Sequence, residues 1–462
     1  MSTSRRTSTI GTLMVLILLS APLAANANFD WDIEDNGAVS DLIILTAYHT
    51  FVTNTTAELD TVTVNMVKSI PTGWVASLCE GLLCYPPFLL DVELILDPGE
   101  TLELIIDITA VGDEGQGSTL ISLASKNNPA STASATFTLV SSGVDVLLVS
   151  NVSDPANENL IADAITATGK THGVWRPSTM GKATDLEMAN FPTIVWAAAS
   201  TLTSLETEDM TNLTAYVNGG GNLVLSGQNL AWANCDPGSP FFDTDAVTWF
   251  QSTLGTDYVG NLGSTDFVTS QVSDPIFSGA SFNVNGGDGS NDNSSPDIVS
   301  STGLGTVSLS YSGGGGALIR SGLGAGYTVF AAFGIEGIDS VGKRSAFMTS
   351  ALNWFTNPTS AAGDGVLPLF TRQPEVWPNP FNPQTKIRFE VGGERAVPAE
   401  VTVYNLQGRA VRQLYAGSVN PGPQDVIWNG RDDAGRNLAT GVYLARVTVG
   451  GTQKLVKMTL VK

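Results

Sequence analysis

The chain has 462 residues, with 22 Lys and Arg against 44 Asp and Glu, a formal charge of −22, and only 14% charged residues. That length supports about three domains. Residues from Val366 onward hold 12 basic and 7 acidic groups, leaving 10 basic and 37 acidic groups on the rest. An acidic body with a basic tail excludes a nucleic-acid partner, because neutralising phosphates needs clustered Lys and Arg. The body reads as a solvated acidic surface, and the tail can meet an anionic envelope surface or a translocation component.

Arg5 and Arg6 precede the apolar run Leu13–Leu19, and Ala25-Asn-Ala27 follows with small residues at the −3 and −1 positions. This is a three-part secretory signal over residues 1–27, with cleavage expected after Ala27 and Sec export preferred over twin-arginine export. The run is too short to span a bilayer. No later stretch is longer, so no integral membrane segment is expected in the mature protein, which is placed in the secreted or cell-surface class.

Residues 28–142 read as an all-β sandwich. Asp91–Leu96 and Thr101–Ile108 alternate apolar and polar residues and are joined by the turn Asp97-Pro-Gly-Glu100. Thr61–Val64 and Thr136–Leu139 add strands. The passages Trp74–Cys79, Cys84-Tyr-Pro-Pro87, Pro98-Gly-Glu and Gly115-Gln-Gly resemble the immunoglobulin-like accessory domains of bacterial surface proteins. Asp30, Asp32, Glu34 and Asp35 lack the glycine spacing of an EF-hand loop and read as a solvated acidic N-terminus. Cys79 and Cys84 flank four residues, and export favours a bridge between them, worth about 2 kcal/mol by loop closure. With no Cys or His pair nearby they do not form a zinc site. Cys235, in Asn234-Cys-Asp-Pro-Gly238, reads as a free thiol in a loop.

The texture changes at Val144. Val144–Val149 is a continuous apolar run, as in a strand buried on both faces. Asp154-Pro155 opens a helix to about Thr168, with Asp at the cap and Pro in the first turn. Thr193–Trp196 is a second buried strand and Glu206–Val217 a second helix. Gly219-Gly-Gly221 leads into Asn222–Leu225, later strands cover Thr306–Tyr311 and Tyr327–Phe333, and Arg344–Phe355 closes as a helix. Strands alternating with helices over residues 143–357 predict a doubly wound α/β domain.

The run Thr214–Trp232 resembles the class I glutamine amidotransferase-like superfamily, where a helix, a Gly-Gly turn and a strand deliver the elbow that carries a catalytic Cys. Here the elbow is Ser226-Gly-Gln-Asn229, and an amide stands where that nucleophile belongs. The two histidines, His49 and His172, both precede the elbow, whereas the family's base follows it. Ser226 also lacks the preceding glycine of a Gly-x-Ser-x-Gly elbow. The resemblance therefore implies a non-catalytic member. A crevice at the C-terminal ends of the strands, lined by Gln228, Asn229, Trp232, Asp185 and Trp175, is the candidate site for a glycan or protein ligand. A divergent hydrolase using that crevice is the alternative. Asp288, Asp292 and Asp297 are candidate Ca²⁺ ligands, although so polar and glycine-rich a stretch is more simply a loop. Gly313–Gly316 has no Lys and is no P-loop. No cofactor is expected.

Residues 358–375 form a Pro- and Gly-containing connection. Beyond it, residues 376–462 alternate with period two, as in Lys386–Val391, Ala399–Tyr404 and Val442–Val449, which predicts a second all-β sandwich. Pro378-Asn-Pro-Phe-Asn-Pro383, Val403–Arg409, Trp428–Arg436 and Gly441-Val-Tyr443 resemble the immunoglobulin-like domain of flagellar hook-capping proteins and the overlapping type IX secretion sorting domain. The resemblance implies sorting or surface attachment through secretion or envelope machinery. It leaves the rest of the chain with an accessory binding or structural role.

Overall fold

The computed structural model describes residues 27–198, 205–262, 267–272, 274–322, 325–356, 370–391, 397–405, 409–420, 422–449 and 452–461. The secretory signal, but for Ala27, lies outside the described residues, as do most of the 358–375 connection and residues 406–408 of the tail motif.

The first strands are β1 (Phe29–Ile33), β2 (Gly37–Ser40), β3 (Leu45–Asn54), β4 (Asp60–Ser69), β5 (Val75–Glu80), β6 (Leu83–Cys84), β7 (Asp91–Leu96), β8 (Thr101–Thr109), β9 (Gln116–Ser125) and β10 (Thr132–Ser141). They form two five-stranded sheets, β1-β3-β8-β5-β6 and β2-β10-β9-β4-β7. The alternation read from sequence decides which face is buried. Val92, Leu94 and Leu96 of β7 point inward while Asp91, Glu93 and Ile95 are exposed. Val62, Val64, Leu78, Leu104, Ile106 and Ile121 meet between the sheets. Each such side chain contributes about 1.5–3 kcal/mol by leaving water. The Tyr48 hydroxyl donates to Thr138 O at 2.7 Å and ties the two sheets together. The predicted turn closes with Glu100 N donating to Asp97 O at 3.0 Å, and Gly99 holds φ 72°.

The middle region contains β11 (Val146–Ser150), α1 (Pro155–Thr166), β12 (His172–Trp175), α2 (Pro177–Met180), α3 (Asp185–Met188), β13 (Thr193–Ala197), α4 (Thr207–Asn218), β14 (Asn222–Ser226), α5 (Leu230–Cys235) and α6 (Thr244–Thr253). It continues through β15 (Thr256–Asn261), β16 (Phe267–Ser270), β17 (Ser281–Asn283), β18 (Asp297–Ser301), β19 (Thr306–Tyr311), β20 (Gly316–Ser321), β21 (Thr328–Ala331) and α7 (Val341–Thr356). Asp154 caps α1 by accepting from Ala156 N at 2.9 Å, with Pro155 behind it. Every residue of β11 and β13 is buried, which accounts for their unbroken apolar runs.

The doubly wound α/β expectation is corrected by the sheet itself. It has eleven strands, with the main path β12-β11-β13-β14-β21-β20-β19-β16-β17 and β15 and β18 branching from β20. Strands β12, β11, β13, β14 and β21 are parallel. From β20 outward the pairings are antiparallel. Among the described residues, strand accounts for 46% and helix for 17%. Antiparallel neighbours join by short turns and need no crossover helix. Several of these strands are also short, such as Ser281–Asn283. A run of three residues is too brief to display a period, so the sequence hid the antiparallel half.

Two contacts fasten this sheet to the first sandwich. Val174 N, on edge strand β12, donates to Gln116 Oε1 at 2.6 Å. Gly173 beside it lies so close to Val140 that an added Cβ would collide with that side chain.

The tail forms β22 (Phe370–Trp377), β23 (Thr385–Val391), β24 (Val397–Asn405), β25 (Ala410–Val419), β26 (Gly422–Trp428), β27 (Gly441–Val449) and β28 (Thr452–Leu460). They make a three-stranded sheet, β22-β23-β26, and a four-stranded sheet, β25-β24-β27-β28. Phe381, Ile387, Phe389, Val401, Trp428, Ala445 and Met458 fill the space between.

Candidate functional site

The parallel strands end where β14 passes through Gly227, Gln228 and Asn229 into α5, beside the segment that follows β21. Asn229 holds a left-handed backbone, φ 56° and ψ 6°, a conformation that Asn tolerates better than most residues. The crevice expected at this end holds a segment of the same chain, residues 284–297. Gln228 is 2% exposed. Its Nε2 donates to Asp292 O at 2.5 Å, and its Oε1 accepts from Ser295 N at 2.8 Å. Asn293, fully buried, donates to Val284 O and Gly334 O at 2.9 Å and accepts from Gly334 N at 2.7 Å. Ser226 Oγ donates to Phe333 O at 3.0 Å and accepts from Ile335 N at 3.0 Å. Buried amides and hydroxyls must find partners, and here the chain supplies them internally.

Asp297 lies against the start of α5. Its Oδ2 accepts from Ala231 N at 2.8 Å, while Oδ1 has no hydrogen-bond partner among the described residues. Burial pushes this carboxyl up to about 8, and the backbone N–H groups of Ala231, Trp232 and Leu230 pull it partly back. Cys235 is half-buried. Burial, with Asp297 and Asp257 nearby, raises its thiol to about 12, so it holds its proton at neutral pH and is a poor nucleophile.

The three candidate Ca²⁺ ligands point to separate partners. Asp288 pairs with Arg344 at 3.0 Å and accepts from Val341 N at 3.2 Å. Asp292 accepts from Asn157 Nδ2 at 2.9 Å and from the Ser290 hydroxyl. Asp297 is committed to α5. Among the described residues the one group of three or more close metal-ligand side chains is Cys79, Cys84 and Asp107. Two of those are joined in a disulfide.

The rest of the predicted crevice set divides. Asn229 and Trp232, both half-buried, stay on the turn with Gln228, and Asn229 Oδ1 accepts from Asn261 Nδ2 at 3.1 Å. Trp175 is 1% exposed in the core with Trp196, and its Nε1 donates to Gly181 O at 2.8 Å. Asp185, half-buried, is the first residue of α3, whose cap is Thr184: Glu187 N donates to Thr184 Oγ1 at 3.3 Å, and Glu187 Oε2 accepts from Thr184 N at 2.7 Å. His172 begins β12, at the opposite end of the sheet from the turn after β14, and burial lowers its pKa against an opposing pull from Asp163. His49 lies on the first sandwich, 2.8 Å from Glu103. Neither imidazole reaches the turn, so the predicted set that stays there offers hydrogen-bonding amides and an indole, and the titratable group beside it is the Asp297 carboxyl.

Sequence reasoning missed two buried acids, Glu336 and Asp274. Glu336 is 1% exposed, with Oε2 unpartnered among the described residues, and burial raises it to about 8. The only signal was an acid inside the apolar, glycine-rich run Phe333–Gly337. Asp274 forms a buried ion pair with Arg320, Oδ2 to Nε 3.0 Å, and accepts from Ser308 Oγ at 2.6 Å. The Arg320 guanidinium also lies over Trp354, 5.3 Å from the ring centre.

In the tail, Phe381, Val403, Trp428 and Tyr443, among the residues that carried the family resemblance, are packing residues. Asn379 Nδ2 donates to Lys457 O at 3.0 Å, and its Oδ1 accepts from Thr459 N at 2.8 Å. Phe381 N donates to Thr459 O at 2.9 Å and Val461 N to Phe381 O at 2.9 Å, so the Pro-Asn-Pro-Phe segment straps the last strand. The peptide bonds before Pro378, Pro380 and Pro383 are cis. Phe381 is 2% exposed and 5.3 Å from the Trp428 ring, which lies 5.2 Å from Tyr443. Trp428 Nε1 donates to Arg431 O at 3.0 Å.

Residues 378–453 match the FlgD Ig-like domain family. No curated protein matches the chain. Among solved structures, the N-terminal domain of PorA is 15% identical, covering 25% of this chain and 98% of its own, at a TM-score of 0.21. PorZ, described as a bacterial surface component of the type IX secretion system of Porphyromonas gingivalis, is 25% identical over 19% of this chain and 11% of its own, at 0.15. The exo-β-1,4-mannosidase Op5Man5 from Opitutaceae bacterium strain TAV5 is 12% identical over 46% of this chain, at 0.31, and the match spans 35% of its length. The amidotransferase-like reading of residues 144–357 finds no support in these comparisons, and the antiparallel half of the sheet contradicts a doubly wound fold there.

Proposed function

We propose that this chain is an exported, surface-associated protein of three units whose role is structural or accessory binding. The units would be residues 28–142, 143–357 and 376–462, with a signal at 1–27 and a connection at 358–375. The last would sort or attach the protein through envelope or secretion machinery. The first two would present surfaces to a glycan or protein ligand. The observation that carries this reading is the FlgD Ig-like match at residues 378–453, whose signature residues Phe381, Val403, Trp428 and Tyr443 lie in the core of the described sandwich. The satisfaction of Gln228, Ser226 and Asn293 by the chain's own segments supports a structural role for this turn. Any ligand there would meet Asn229 and Trp232 at the rim.

Deleting residues 376–462 tests the attachment role. The truncated protein is expected to move from the cell envelope to the medium or to be retained inside. An unchanged distribution between envelope and medium would remove the sorting reading.

A further inference from the structure

The Cys79–Cys84 disulfide lies on the first sandwich, away from the crevice. Its two sulfurs occupy different surroundings. Cys79 of β5 faces Cys84 of β6 across the strand pair. Cys79 is 1% exposed, whereas Cys84 is exposed at the sheet edge. The connecting turn carries Gly81 at φ 53° and puts Leu82 and Leu83 in water. A thiolate arriving from solution therefore meets Cys84 first, and the sulfur that must leave is the buried one.

Behind that buried sulfur stands an acid. Asp107 Oδ2 lies 3.2 Å from Cys79 Sγ. A disulfide sulfur has no hydrogen to donate, so this contact is a hydrogen bond only when the carboxyl holds the proton. Burial pushes the Asp107 carboxyl up from its ordinary value, with His49 pulling it partly down. The other charged groups on these strands are engaged elsewhere. His49 pairs with Glu103 at 2.8 Å, and Glu80 accepts from the Tyr85 hydroxyl at 2.9 Å.

We propose that Cys79–Cys84 is a thiol–disulfide exchange site, opened by a dithiol reductant that attacks Cys84, with Asp107 as the acid that protonates the departing Cys79 sulfur. In the first step the reductant thiolate bonds to Cys84 Sγ. The S–S bond breaks, its electron pair passes to Cys79 Sγ, and that sulfur takes the Asp107 proton. In the second step the reductant's other thiol, as its thiolate, displaces Cys84, which takes a proton from water. Asp107 then regains a proton from water, and two electrons have passed from the dithiol to the protein, leaving one reductant disulfide and two protein thiols. Protonating the leaving sulfur lowers its barrier to departure.

The test uses the full chain carrying Cys235→Ser, so that only this pair reports, and dithiothreitol as the dithiol at neutral pH. Alkylated thiols are counted over time by mass spectrometry. Asp107→Asn is expected to slow opening about tenfold while circular dichroism stays native, since an amide cannot give up a proton to the sulfur. A folded Asp107→Asn protein opened at the parent rate would overturn the proposal. A second measurement needs no change at Asp107. Brief exposure of the parent to glutathione is expected to place the mixed disulfide on Cys84, and an adduct mapped to Cys79 would overturn the assigned direction of attack.

Discussion

The Ala231 backbone N–H points at Asp297 Oδ2 from 2.8 Å, so the start of α5 is closed by a carboxylate from the same chain, 66 residues away. The group is 0% exposed, and its raised pKa of about 8 has a consequence for stability. Unfolded, an Asp releases its proton near pH 4. Between about pH 4 and 8 the folded state therefore binds more protons than the unfolded state, and stability falls as pH rises. Asp297→Asn keeps an oxygen for the Ala231 N–H and carries no charge. It is expected to raise stability at pH 7.5 by about 1–3 kcal/mol and to flatten the decline between pH 5 and 8. Urea denaturation at several pH values checks this, and an equal decline in parent and variant would refute it.

Asp274 behaves in the opposite sense. Burial alone would push its carboxyl up, but Ser308, the Phe277 backbone N–H and Arg320 together outweigh burial and hold it below the usual value. Its contribution is fully present above the unfolded pKa and is lost as pH falls through the folded one. Asp274→Ala leaves Arg320, 3% exposed, without this carboxylate. The expected loss is about 3–5 kcal/mol at pH 7, shrinking only once the pH falls below the ordinary carboxylate range and the parent also loses its charge. A loss below 1 kcal/mol at pH 7 in denaturant titrations would show the pair to be dispensable.

Phe381 anchors the strap over the last strand of the tail. Phe381→Ala removes a ring that is 2% exposed and packed 5.3 Å from Trp428. The expected cost is about 3–5 kcal/mol, confined to residues 376–462. Hydrogen exchange on the full chain should show faster exchange at β28 amides, with β11 and β13 unchanged. Unaltered protection in β28 would mean that the strap does not hold the strand.

Much of this architecture was legible in order along the chain. Alternation in Asp91–Leu96 and Val442–Val449 identified half-buried strands, and the solid apolar run ending at Val149 identified a strand covered on both faces. Asp154-Pro155 marked a helix start because a carboxylate and a fixed φ act within one turn. The antiparallel half of the large sheet was not legible, since strands such as Ser281–Asn283 contain too few residues to reveal a period. Trp175, read as part of the crevice, has a core environment that its neighbours in sequence do not distinguish from a ligand platform.

Residue order was enough to set the local periods, the Asp154 cap, the Asp97–Glu100 turn and the lack of a Cys or His at the turn after β14. Tertiary structure alone decided that this turn is occupied from within and that the two bonded sulfurs are unequal. The contacts responsible join Gln228 to Ser295 across 67 positions, Ser226 to Ile335 across 109, and Cys79 to Asp107 across 28. Hydrogen bonds and burial act through space over a few ångströms, so partners this far apart along the chain leave no trace in any local pattern.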